Sequence, residues 1–274
     1  MLHGSIENGK IFYSSSGKGL APFLASNGFD VFVPDLRGRG LSTPSIHRSS
    51  GYGVYESIVE EIPIFIDKIR ELKGSQSMQW VAHSWGGVLV LCYYARFQSH
   101  ASFVASMVFF GTKRRIVTHS IKRYLMVEGV YGLLFSIIGF IKGFVDAKMI
   151  SVGSDNETLK ANRETWRWIT KNSWKDEDGF DYKRVLPGIT LPPVLYITGA
   201  NDDVLGNPKD VELLMNETGT HQRHEFYLAS KKNGNLHNYD HINLLTHHDA
   251  VNDHFQMVIE WMQKHDRKTV EILR

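Results

Sequence analysis

The sequence has 274 residues, 42% hydrophobic and 12% aromatic, with 31 Lys and Arg against 29 Asp and Glu. That apolar content suffices for a large buried core and excludes intrinsic disorder, collagen-like repeats and a coiled coil. A formal charge of +2 offers no electrostatic argument for a nucleic-acid partner, and the single cysteine, Cys92, excludes an intramolecular disulfide framework and a cysteine-based zinc cluster.

In chain order, Met1 to Ser5 shows neither a basic n-region nor an apolar h-region, so no secretory leader is read and a cytoplasmic location is expected. Phe29 to Val33 (FDVFV) reads as a strand ending at Pro34. Apolar residues at 58, 59, 62, 66, 69 and 72 have helical spacing, with Pro63 near the start, where its missing N–H costs least. Residues 78–82 and 103–110 read as strands around a helix at 88–97. Strands alternating with helices imply right-handed crossovers and a mostly parallel sheet.

Between 113 and 188 the alternation stops, and this block reads as an inserted helical cap on a core of 1–112 and 189–274. Its apolar stretch, 124–150, contains VYGLLFSIIGFI. Glu128 and Lys142 bound a run too short for a stable membrane span, and Gly129, Gly132, Gly139 and Gly143 weaken a single rigid helix, so a buried or lipid-facing cap helix is expected. A polar helix follows at 157–170. The alternation resumes with strands at 194–198 and 225–229, a helix at 208–216 and closing helices within 242–264.

The sharpest chemical signal is VAHSWGG at 81–87, where a strand runs through small-x-Ser-x-small (Ala82 to Gly86) into a helix. Such a turn holds Ser84 in a strained conformation beside small neighbours, lifting its Oγ clear at a helix N-terminus and aiming the Trp85 N–H at a developing oxyanion. A nucleophilic serine needs a base, and the base an orienting acid. In this chain order the acid follows a later strand and the histidine follows the last. Val194–Gly199 leads into Ala200-Asn201-Asp202-Asp203, which favours Asp202 and leaves Asp203 as its rival. His241 stands where a loop meets a helix after the last strand, with His237 as the competitor. His247, His248 and His254 lack a zinc-binding pattern such as H-E-x-x-H, so no metal is expected. Leu2-His3-Gly4-Ser5 offers the Ser5 N–H as a second oxyanion donor, and Arg37 in DLRGRGLS is expected to brace the loops.

Together His3-Gly4, DLRGRGLS, AHSWG, GANDD and YDHINL resemble the α/β-hydrolase superfamily in order and spacing over nearly the whole chain, most closely its bacterial lipase and esterase-like members. The resemblance implies a catalytic triad of Ser84, Asp202 and His241 without a cofactor, acting on a small ester or lipid-like substrate through an acyl-enzyme. Amide cleavage, acyl transfer and a non-catalytic binding role are the other readings of the same scaffold. One departure stands out. The family places strands before and up to the His-Gly loop, and one lies between those read here at 29–33 and 78–82; this chain supplies only Met1-Leu2 for it. The N-terminal strands are therefore expected to be missing, with a gap or a compromised edge in the sheet.

Overall fold

The computed structural model describes residues 1–266 apart from Thr220 and Gln222. Its frame is a parallel sheet whose strands follow runs of β-branched and aromatic residues. In chain order these are β1 (Met78–His83), β2 (Val104–Phe110), a separate short antiparallel pair β3 (Phe144–Val145) and β4 (Glu157–Thr158), then β5 (Val194–Gly199) and β6 (His224–Ala229). The sheet order is β1-β2-β5-β6, with Val81 beside Val108, Val108 beside Leu195 and Ile197 beside Tyr227. Every residue of β2 and β5 is buried, as a central strand covered on both faces requires.

Alternate side chains feed two cores. Val81, Val108, Leu195 and Ile197 pack with α1 (Leu20–Ser26) and the closing helix on one face. Ala82, Met107, Phe109 and Tyr196 pack on the other with the helical run 54–73 (α2) and with α3 (Trp85–Arg96). Helix α2 runs through Val54–Glu56, a π-helical stretch Ser57–Glu61 and Ile62–Lys73, and Gly74 ends it at φ +71°.

Residues 29–33 correct the sequence reading: they form no strand. The apolar pattern is real, since Phe29, Val31 and Val33 pack against the second core, but a strand also needs a ladder partner. Among the described residues, the outer edge of β1 is bonded through Leu2, whose N–H reaches Val81 O at 2.8 Å and whose carbonyl accepts from His83 N–H at 3.0 Å. Beyond it lies a cavity of about 460 Å³ bordered by Met1, Phe29, Val31, Ile66 and Trp80. The two flanking segments do not pair with each other, and His3-Gly4 keeps its place against the elbow.

The apolar stretch at 124–150 begins inside one continuous helix, α4 (Ile121–Lys142), with a π-helical middle, Leu125–Leu134, and the expected weakening at its glycines does not break it. By length and composition it could cross a bilayer; the helix has 22 residues, its most apolar 18 have a mean hydropathy of 1.8, and only 22% of that stretch is buried. Gly132 and Gly139 are contact points rather than breaks. A Cβ on Gly132 would lie 2.8 Å from the Trp166 ring, and one on Gly139 would overlap the Leu159 side chain. They let α5 (Leu159–Thr170) approach, while Gly143, at φ +82°, ends the helix. Thr158 caps α5 by accepting from Ala161 N–H at 3.0 Å. Farther on come α6 (Pro208–Glu217) and, after two short turns, the closing helix α7 (His254–Lys264).

Candidate active site

The functional groups gather at the carboxyl ends of the parallel strands, where such sheets leave a crevice. β1 ends at His83, and Ser84 turns the chain into α3 with φ +51° and ψ −122°, a region that costs an L-residue strain. Two contacts hold the turn. The Ser84 N–H donates to Phe110 O at 2.8 Å, tying the elbow to β2. Gly86 lies so close to the incoming N-terminal segment that a Cβ there would stand 2.5 Å from the carbonyl oxygens of Leu2 and His3.

β5 delivers Asp202 and the loop after β6 delivers His241, and the structure brings both to Ser84. His241 Nε2 is 2.9 Å from Ser84 Oγ, and His241 Nδ1 is 2.6 Å from Asp202 Oδ2. A proton on Nδ1 facing the carboxylate leaves Nε2 free to accept the hydroxyl proton. All three side chains are buried. Burial pushes the His241 pKa below the ordinary imidazole value, with His83 and Lys113 pushing the same way and Asp202 opposing. Burial would raise the Asp202 pKa, but the His241 ring and the Gly206 N–H hold it below the usual carboxylate range. The arrangement therefore pairs a neutral base with an ionised acid.

The rival residues point elsewhere. Asp203 is exposed and pairs with Lys122 at 2.8 Å. His237 Nε2 bonds Asp249 at 2.7 Å, and its ring lies 4.3 Å from that of His247. His237, His247 and Asp249 could by geometry share a cation, since their ligand atoms lie within 4.8 Å of one another; Glu7, His83 and His241 could do the same. The second group already spends those atoms on its own hydrogen bonds.

Ser5 and Trp85, the two expected oxyanion donors, both border the cavity that contains Ser84. Trp85 opens α3, where backbone N–H groups lack helical partners, and Gly4 presses on the elbow, so that a Cβ there would stand 2.9 Å from Ser84 Cβ. His3 serves the backbone instead. Its Nε2 accepts from Leu36 N–H at 3.1 Å and its Nδ1 donates to Gly4 O at 2.9 Å, fixing the neutral ring. Burial lowers its pKa to about 4. Arg37 reaches Glu60 at the surface, whereas the buried brace is Arg39, paired with Glu157, which also accepts from Ser5 Oγ at 3.1 Å.

Three residues escaped the sequence reading. His83, the variable position of the elbow, places Nδ1 2.8 Å from Glu7 and Nε2 3.0 Å from the His241 carbonyl. Both ring nitrogens thus face acceptors. Burial would raise the Glu7 pKa, but the facing His83 holds it down at about 2. Lys113, just beyond β2, donates from Nζ to Ser84 Oγ at 3.2 Å. Its position directly after a strand end was the available signal; nothing in the sequence could tie Glu7 to residue 83.

Above these groups is a cavity of about 910 Å³ that continues under α4, with Leu125, Val130 and Ile169 among its apolar lining. A parallel sheet, a strained strand–Ser–helix elbow, and an acid and a histidine following later strands are the arrangement of the α/β-hydrolase fold. The family model described as alpha/beta hydrolase fold matches residues 1–126. A probable lysophospholipase L2 of Haemophilus influenzae is 24% identical over 208 residues, which are 68% of this chain and 63% of the relative's length. Among solved structures, a soluble variant of the Saccharomyces cerevisiae monoglyceride lipase superposes with a TM-score of 0.67 at 20% identity, over 97% of this chain and 85% of that one. The Paleococcus ferrophilus monoacylglycerol lipase superposes with a TM-score of 0.58 at 16% identity, over 96% and 93%.

Proposed function

We propose that this protein is a serine hydrolase that cleaves carboxylic esters of apolar acyl chains. The observation that carries the reading is the unbroken line Asp202–His241–Ser84, with spacings of 2.6 and 2.9 Å, opening into an apolar cavity under α4. Ser84 Oγ attacks the ester carbonyl while His241 Nε2 takes its proton, and Asp202 stabilises the imidazolium that forms. The Ser5 and Trp85 N–H groups receive the oxyanion. The imidazolium then protonates the leaving alcohol, and water, deprotonated by the same ring, releases the acid.

The segment 113–188 acts as a cap, with α4 facing the acyl chain. The names of the relatives, a lysophospholipase and monoacylglycerol lipases, agree with single-chain lipid esters as substrates. The test is turnover of p-nitrophenyl esters of graded chain length, alongside labelling by a fluorophosphonate. Ser84→Ala should abolish labelling and lower turnover by about 10⁴–10⁶-fold. Turnover unchanged in Ser84→Ala overturns the assignment.

A further inference from the structure

The cavity holds a buried cation for which ester hydrolysis by Ser84, His241 and Asp202 has no use. Lys113 is 4% exposed, and its ammonium donates to the neutral Ser84 hydroxyl at 3.2 Å. The three carboxylates whose fields it feels are committed to other donors. Asp202 accepts from His241, Glu7 from His83 and the Gly4 N–H, and Asp210 from Val117 N–H and Thr118 Oγ1. The buried arginines are treated differently, for Arg39 pairs with Glu157 and Arg114 with Glu217. Removing an ammonium from water without an anion beside it is strongly unfavourable. Burial accordingly lowers the Lys113 pKa. A position that tolerates such a cost within hydrogen-bond reach of a nucleophile is built for an anion that arrives with the ligand.

We propose that Lys113 is the anion-recognising group of this cavity, binding a carboxylate or phosphate oxygen carried by a ligand whose apolar chain lies under α4. This rests on the serine-hydrolase reading only for the identity of the ligand as substrate or product. The anion has two possible sources: the carboxylate released from the acyl half, or a phosphate on the alcohol half. Either oxygen would replace the Ser84 hydroxyl as the acceptor of the Lys113 proton, exchanging a neutral acceptor for an ionised one and so making an ion pair.

The experiment is calorimetric binding of dodecanoate and dodecyl phosphate, each below its micellar concentration, and of neutral dodecanol below its solubility limit. The proteins are the wild type, Ser84→Ala, Lys113→Met and Lys113→Arg. Methionine preserves an unbranched apolar stem and removes the buried charge, so its melting temperature should not fall; that measurement establishes folding. The wild type and Ser84→Ala should bind at least one anionic amphiphile about tenfold or more tighter than dodecanol. Lys113→Met should bring the ratio to near unity, and Lys113→Arg should restore part of it. Preference for dodecanoate assigns the acyl product, and preference for dodecyl phosphate assigns the alcohol half. An anion preference that survives in Lys113→Met, or none in the wild type, overturns the proposal. Because binding is read without turnover, Lys113-dependent anion binding by a protein that hydrolyses no ester would refute only the hydrolase reading.

Discussion

The two sides of the candidate site are held by different means. Ser84, Asp202 and the loop that carries His241 hang from β1, β5 and β6, whose backbones are locked in a ladder and whose side chains fill two cores. The opposite wall, residues 2–12 with the loop at 35–42, has one bridge to the sheet and depends on side chains that satisfy backbone groups. Asp35 accepts from Gly9 N–H at 2.6 Å and Leu41 N–H at 2.8 Å, His3 accepts from Leu36 N–H, and Glu7 accepts from Gly4 N–H. Ladder bonds survive most substitutions because any non-proline residue supplies them. Side-chain ties belong to one residue each, so point changes should act on the two walls differently.

After Ser84→Ala, the largest effect should come from Gly4→Val, whose branched side chain would meet Ser84 Cβ and the Glu7 carboxylate at under 3 Å. Displacing the neighbouring Ser5 N–H should lower ester turnover by about 10²–10³-fold. Steady-state kinetics beside a melting curve would show whether the loss exceeds what unfolding explains. On the ladder side, Ile197→Ala in β5 should cost about 2–5 kcal/mol in urea unfolding, while turnover per folded molecule stays unchanged.

The third outcome concerns pH and stability. His3 has an ordinary value of 6.5 and a folded value of about 4, so the unfolded chain binds the extra proton first. Its contribution is complete above pH 6.5 and disappears as the pH falls toward 4, amounting to on the order of 3 kcal/mol. Denaturant unfolding at pH 7 and pH 4.5 should show that loss, and His3→Gln should flatten it. Activity should keep a different profile. The His241 pKa also lies below the ordinary imidazole value, so the acid limb of kcat/KM should have its midpoint under 6.5, measurable with a substrate that does not ionise in that range. The smallest change should be Phe140→Ser on the outer face of α4, where the side chain is 90% exposed. It should alter stability by no more than about 0.5 kcal/mol and reduce detergent or dye binding.

What could be read from sequence followed the same division. The elbow, the acid after β5 and the histidine after β6 were legible because each is a local strand-end pattern with a chemical reason. Residues 29–33 misled because FDVFV has the composition of a strand, and composition says nothing about whether a neighbour is present to pair with it. Gly132 and Gly139 of α4 misled in the opposite direction. Spacing marks them as weak points, and only the rings and methyl groups of α5 reveal them as notches. His83–Glu7 and Lys113–Ser84 are meetings across 76 and 29 positions, carried by topology rather than by any local motif.

The Glu157 carboxylate unites parts that belong to three regions. It closes on Arg39 from the loop after 29–33, accepts from Ser5 in the N-terminal segment, and sits in β4 next to the Thr158 that caps α5. The chain on either side of β4 thus cannot swing outward without carrying Ser5 or breaking a buried ion pair. One carboxylate thereby fastens β4, the N-terminal segment and the loop at 35–42 into a single mechanical unit.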